Sequence, residues 1–174
     1  MNRNKITEFA KASDLKVDLF PHLQVGDLLE FKRAMLQHWA VYVGSIADIH
    51  CVIDFVYPDD SNLVNEFCLA FMATATAAGA ALPATTSSVG VIRMVPIVSI
   101  LGDDEVRLNN GFDGSPHQPL DSQVILARAV EKFHAGDRSY DLFRSNCEHF
   151  ATYCRYGVNV STQIDELKKK IEND

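Results

Sequence analysis

The chain is poor in basic residues and has no paired cysteine motif, and each shortage argues against a class of protein. Its 174 residues carry 16 Lys and Arg against 23 Asp and Glu, a formal charge of -7 that argues against nucleic-acid binding. No C-x-x-C spacing occurs, so we predict no metal site and no bound cofactor. The cysteines are Cys51, Cys68, Cys147 and Cys154.

Secretion and membrane-span signals are also weak. Charged residues are spread through the first twenty positions, unlike a signal peptide, so we expect an intracellular, cytoplasmic protein with free thiols. Residues 67–92 carry no charge, but Gly79, Pro83 and the following Thr-Thr-Ser-Ser run interrupt them. The apolar part is shorter than the ~20 residues of a spanning helix, so we expect a buried or interfacial segment.

The length fits one domain, in which strands precede most of the helices. Runs rich in β-forming residues predict strands at 28–31, 38–43 and 49–57, the last two forming a hairpin. A further strand region at 89–101 is expected to be broken or bent at Pro96, and residues 102–119 are expected to form a loop.

Capping residues mark the helices of the second half. Helices are predicted from a cap at Asp121 or Ser122 to about 135, at 147–156, and from 161 or 162 onward. Asn146 is the expected N-cap of the middle helix, and Gly157 is expected to end it.

Cys147 is the strongest candidate for chemistry because it begins a predicted helix. Amide groups in the first turn of a helix stabilise a thiolate, and a nearby imidazole stabilises it further. The same amides could hold the oxyanion of a tetrahedral intermediate. Local sequence leaves a second interpretation open, in which Cys147 packs as a small buried hydrophobe.

Two strand-borne histidines could serve this thiol. Alternation along the strand puts His38, Ala40 and Tyr42 on one face, from which His38 could reach the end of a packed helix. His50 could orient the first imidazole as the third group of a triad. Each histidine could instead be structural. His149 lies about 200° around the helix from Cys147, so we interpret it as structural or supporting.

Three blocks of the sequence belong together: Val25-Gly26-Asp27-Leu28-Leu29-Glu30, His38-Trp39-Ala40-Val41-Tyr42-Val43-Gly44 with His50 twelve residues after His38, and Asn146-Cys147-Glu148-His149-Phe150. They resemble the lecithin:retinol acyltransferase family, which includes the H-Ras-like-suppressor phospholipase/acyltransferases. The match extends from Val25 to Gly157, so we expect residues 1–174 to form one such domain with an N-terminal extension (1–24) and a C-terminal helix (158–174).

The resemblance implies an α+β fold of circularly permuted papain-like type, with a small antiparallel sheet bearing the histidines packed against helices. It also implies a phospholipid-dependent acyltransferase or phospholipase. Cys147 would take an acyl chain as a thioester, His38 would be the general base, and His50 would orient or polarise His38. Water, an amine, a lysophospholipid or a retinol-like alcohol would accept the chain.

Other functions stay open at this point. The wider superfamily includes thiol hydrolases of amide or peptide bonds, and a non-catalytic signalling or scaffold protein could keep the same motif. The implied partner is a phospholipid in a membrane surface, on which the protein would be peripheral. Residues 67–88 are the candidate docking segment, and no particular oligomeric state is predicted.

Overall fold

The computed structural model describes residues 5–34, 36–57, 88–114, 116–136, 138–141 and 144–173. Six strands form one antiparallel sheet in the order β5-β1-β2-β3-β4-β6. The strands are β1 Leu28–Phe31, β2 His38–Ile46, β3 Ile49–Val56, β4 Ser88–Pro96, β5 Val106–Leu108 and β6 Arg138–Tyr140. The α-helices are α1 Ile97–Leu101, α2 Ser122–His134, α3 Cys147–Tyr156 and α4 Thr162–Asn173. The predicted α+β class with a small antiparallel sheet is confirmed.

The predicted hairpin is the centre of the sheet. Strands β2 and β3 pair from Ile46↔Ile49 at the turn to Ala40↔Asp54, with a register shift between Tyr42 and Gly44. Ala47 and Asp48 form the turn with positive φ angles of 50° and 63°. Positive φ at both central residues suits the right-handed twist of paired strands, which explains the tight connection.

Both faces of the sheet are covered, and the alternation along β2 decides which residue meets which layer. Trp39 and Val41 lie in a core cluster with helices α2 and α3. Ala40 and Tyr42 lie in a second cluster on the opposite face. That second cluster also takes Ala10, Leu15 and Leu19 from the predicted N-terminal extension and Ile97 and Leu101 from α1.

The three predicted helices agree closely with the structure, whereas β4 differs from expectation and β5 and β6 were not predicted. Asp121 caps α2, and α3 runs from Cys147 to Tyr156 as predicted. The strand expected at 89–101 ends at Pro96, and α1 follows it, so the prediction is wrong for its second half. The expected loop at 102–119 contains β5, whose three residues are too few for a recognisable alternation pattern.

A buried polar network joins the end of α3 to the turn before β1. The Arg155 guanidinium donates to both carboxylate oxygens of Asp113, at 2.9 and 2.7 Å, and to the Gly26 carbonyl at 2.7 Å. The Tyr156 hydroxyl donates to Asp113 at 2.8 Å. Buried charges are tolerated when they are paired and hydrogen-bonded in this way, so these contacts fix α3 against the sheet.

None of the helices among the described residues combines the length and the apolar character needed to cross a bilayer. The proposed docking segment, residues 67–88, lies almost entirely outside the described residues, which resume at residue 88.

Candidate active site

Cys147 is the first residue of α3, and its position depends on a capping box. The Asn146 side chain accepts a hydrogen bond from the His149 amide at 3.0 Å, while the Asn146 amide donates to His149 Nδ1 at 3.4 Å. His149 therefore turns back to the helix start, as its predicted structural role requires. The reciprocal bonds satisfy amides that a helix leaves unpaired in its first turn.

Glu148 is fully buried, and its carboxylate caps the next helix. It accepts hydrogen bonds from the Ser161 hydroxyl, from the amide and hydroxyl of Thr162, and from the amide and side chain of Gln163. An anion at a helix N-terminus is stabilised by the macrodipole and by the exposed amides. The residue after Cys147 thus attaches α4 to the start of α3.

Glu148→Gln should lower the free energy of unfolding by about 3 kcal/mol, because the amide nitrogen would face donors that now bond to a carboxylate. Thermal unfolding followed by circular dichroism should show a midpoint lower by about 10 °C. Glu166→Gln, on the exposed side of α4, is the matched control and should change the midpoint little. Equal midpoints for the two variants would contradict the capping role.

His38 connects the thiol to a buried carboxylate. Its Nε2 lies 2.9 Å from Asp54 Oδ2, and its interaction with the Cys147 side chain is among those that raise the pKa of the imidazole. Asp54 pairs in register with Ala40, two residues from His38, so both side chains lie on one face of the sheet. The Cys147 side chain is 8% exposed and Asp54 is 0% exposed. The structure therefore assembles the predicted Cys147–His38 pair and adds a carboxylate behind it.

Arg93 holds the carboxylate from the neighbouring strand β4. Its Nε donates to Asp54 Oδ1 at 3.0 Å and its Nη2 donates to Oδ2 at 2.8 Å. Burial alone would raise the pKa of Asp54, but the hydrogen bonds from His38 and Arg93 hold it below its ordinary value. Asp54 is therefore an anion throughout the neutral range.

The same contacts keep His38 protonated. Burial would lower the pKa of His38, but the hydrogen bonds and charges of Asp54 and Cys147 outweigh it and raise the pKa from 6.5 to about 10. Because the folded value lies above the unfolded one, the stability that His38 contributes is complete below pH 6.5. It is lost as the pH rises through about 10.

His50 does not lie where the family resemblance puts it. It pairs with Ser45 near the hairpin turn, seven residues along β2 from His38, which is about 23 Å at the rise of a strand. Its Nδ1 lies 2.8 Å from the Tyr42 hydroxyl, and its ring stacks on Phe20 at 3.8 Å. The twelve-residue spacing spans the turn, so the two histidines lie at opposite ends of the hairpin, and Asp54 contacts His38 instead.

Sequence reasoning missed Asp54 and Arg93. A signal for Asp54 was present, because an acid inside the apolar run Val52-Ile53-Asp54-Phe55-Val56 must be paired if the strand is buried. The identity of its partners could not be read in the same way, because they come from two other strands.

The other described thiols stand apart from this constellation. Cys154 is fully buried, and burial raises its pKa to about 12, so it stays protonated. Cys51 is only half-buried, with its thiol donating to the Ile49 carbonyl at 3.6 Å. Cys68 lies outside the described residues.

Comparison with known proteins identifies the family of the chain. The family model described as lecithin retinol acyltransferase matches residues 21–160. "Phospholipase A and acyltransferase 2" of Homo sapiens is 33% identical over 146 residues, 83% of this chain and 77% of the relative. "Phospholipase A and acyltransferase 1" of Rattus norvegicus is 30% identical over 149 residues, 84% of this chain and 76% of the relative. The chain belongs to the lecithin retinol acyltransferase family.

Proposed function

We propose that this protein is a thiol-dependent acyltransferase and phospholipase that takes an acyl chain from a glycerophospholipid onto Cys147. The observation that supports it best is a cysteine at a helix start that interacts with a histidine held by a buried carboxylate. The family and the names of its relatives, phospholipase A and acyltransferase, support the lipid substrate.

The proposed reaction proceeds in two displacements at the acyl carbonyl carbon. The Cys147 thiolate attacks the ester carbonyl carbon, and the first-turn amides of α3 other than the capped His149 amide stabilise the oxyanion. The carbon–oxygen bond of the ester then breaks, and the protonated His38 gives its proton to the departing lysophospholipid oxygen.

The second displacement regenerates the enzyme. Neutral His38 takes a proton from the acceptor, whose oxygen or nitrogen attacks the thioester carbonyl. The carbon–sulfur bond breaks and returns the Cys147 thiolate beside protonated His38. Water as acceptor gives hydrolysis, whereas an amine, a lysophospholipid or a retinol-like alcohol gives acyl transfer. Asp54 stabilises the imidazolium in both halves and does not change its own protonation.

A phospholipid substrate requires the protein to meet a membrane surface, and we propose that it does so peripherally. The uncharged segment at 67–88 is the proposed contact. Liposome flotation of the chain with and without these residues tests this assignment, and equal flotation would contradict it.

The acyl-enzyme is the decisive observable. After incubation with a short-chain phosphatidylcholine, intact mass should rise by one acyl group, and hydroxylamine should remove it as a thioester. Cys147→Ala should form no adduct and no free fatty acid, whereas Cys51→Ala, which removes a half-buried thiol, should behave as the wild type. Lipid turnover that persists in Cys147→Ala would refute the proposal.

A further inference from the structure

Gln163, the second residue of α4, contacts both segments that carry the reacting side chains. Its Oε1 accepts a hydrogen bond from the Gln37 amide at 2.5 Å, and its Nε2 donates to the Gln37 carbonyl at 3.2 Å. The same Nε2 lies 3.1 Å from Glu148 Oε2. The side-chain amide of Gln163 thus bonds to both the N–H and the C=O of Gln37, as the backbone of a residue in an adjacent strand would.

These partners are the immediate neighbours of the catalytic pair. Gln37 precedes His38 at the start of β2, and Glu148 follows Cys147 at the start of α3. The Gln37 carbonyl also lies 3.8 Å from the Cys147 sulfur, as an acceptor for the thiol. Gln163 therefore joins the strand that begins with His38 to the helix that begins with Cys147.

The Gln163 side chain is held at both ends. The carboxylate of Glu148 caps α4 through Ser161 and Thr162, and Ile164, the next residue of α4, is 1% exposed. The side chain of Gln163 is thus fixed at its base by a buried helix start and at its tip by Gln37.

We propose that Gln163 is a positioning residue that sets the distance and angle between the Cys147 sulfur and the His38 imidazole. The inference rests on the proposed acyl-transfer function and adds a residue to it. Displacing a reacting group by about 1 Å can lower the rate roughly a hundredfold. A residue that holds both segments in place therefore affects catalysis without touching the substrate.

The test uses Gln163→Met, which keeps the length of the side chain and removes its hydrogen bonds. Gln123→Met is the matched control, because Gln123 is the second residue of α2 and is exposed. Gln163→Asn is the second variant, which keeps a polar amide too short to reach both partners. Both Gln163 variants should lower kcat for acyl transfer about tenfold with KM little changed, and the control should match the wild type.

Iodoacetamide alkylation, followed by peptide mass, separates positioning from a general loosening of the fold. The rate at Cys147 should fall about tenfold in the Gln163 variants, while the rate at Cys51 stays constant in the same molecules. A kcat within about twofold of wild type, or equal changes at Cys147 and Cys51, would overturn the proposal. If the wild type forms no acyl-enzyme, the proposed function fails separately, and the ratio of the two alkylation rates still decides whether Gln163 positions the thiol.

Discussion

His38→Gln is expected to slow acylation of Cys147 by roughly a thousandfold to ten-thousandfold, the usual range for loss of a general acid–base group that also stabilises the nucleophile. Glutamine can still hydrogen-bond to Asp54 and Cys147, but it cannot take the thiol proton or protonate the leaving oxygen. The measurement is single-turnover formation of the acyl-enzyme with a short-chain phosphatidylcholine, followed by intact mass.

His134→Gln is the matched control, because His134 is the exposed last residue of α2. It should acylate at the wild-type rate. The thermal unfolding midpoint should be measured for both variants. A loss of activity is then assigned to chemistry only where the fold is retained. Acylation in His38→Gln within about tenfold of the wild-type rate would remove His38 from the mechanism.

Asp54→Asn is expected to reduce kcat/KM by about a hundredfold or more, whereas His50→Gln should change it by less than about threefold. Asp54 is the anion bonded to His38 and Arg93, and asparagine would leave both cations without their counter-charge. His50 bonds to Tyr42 near the other end of the hairpin. The pair of variants therefore distinguishes a Cys–His–Asp arrangement from the Cys–His–His arrangement that the family resemblance implies.

The pH profile gives a second readout of the same variant. In the wild type the protonated state of His38 is lost only as the pH rises through about 10, so activity should fall on the alkaline side there. Asparagine removes the charge that raises this pKa, so the alkaline limb of Asp54→Asn should move to lower pH. The apparent value belongs to the coupled Cys147–His38 pair. An unchanged limb, or a larger loss in His50→Gln than in Asp54→Asn, would contradict this assignment.

The local part of the site was predictable because its signals are local. An Asn before the cysteine and a Gly after Tyr156 determine where α3 begins and ends, and alternation along β2 assigns Trp39 and Ala40 to opposite faces. The identities of Cys147 and His38 as partners followed from the family resemblance, which carries tertiary information that spacing alone does not contain.

Strand register decides which side chains contact His38. Asp54 meets His38 because the turn falls at Ala47-Asp48, which sets which residues of β2 and β3 lie opposite each other. The counted spacing of twelve residues favoured His50, because it takes no account of where the chain reverses. A turn displaced by one residue would shift the pairing and bring other side chains to the same place.

By itself the sequence determined the capped cysteine helix, the alternating strand with its histidine and the family to which they belong, since each depends on residues close together in the chain or on a shared motif. Only the tertiary structure decided that Asp54 and Arg93 support His38, that His50 lies elsewhere, and that Gln163 joins the two segments. These contacts link residues 15 to 126 positions apart. The packing of sheet and helices, rather than any local preference, determines which of them meet.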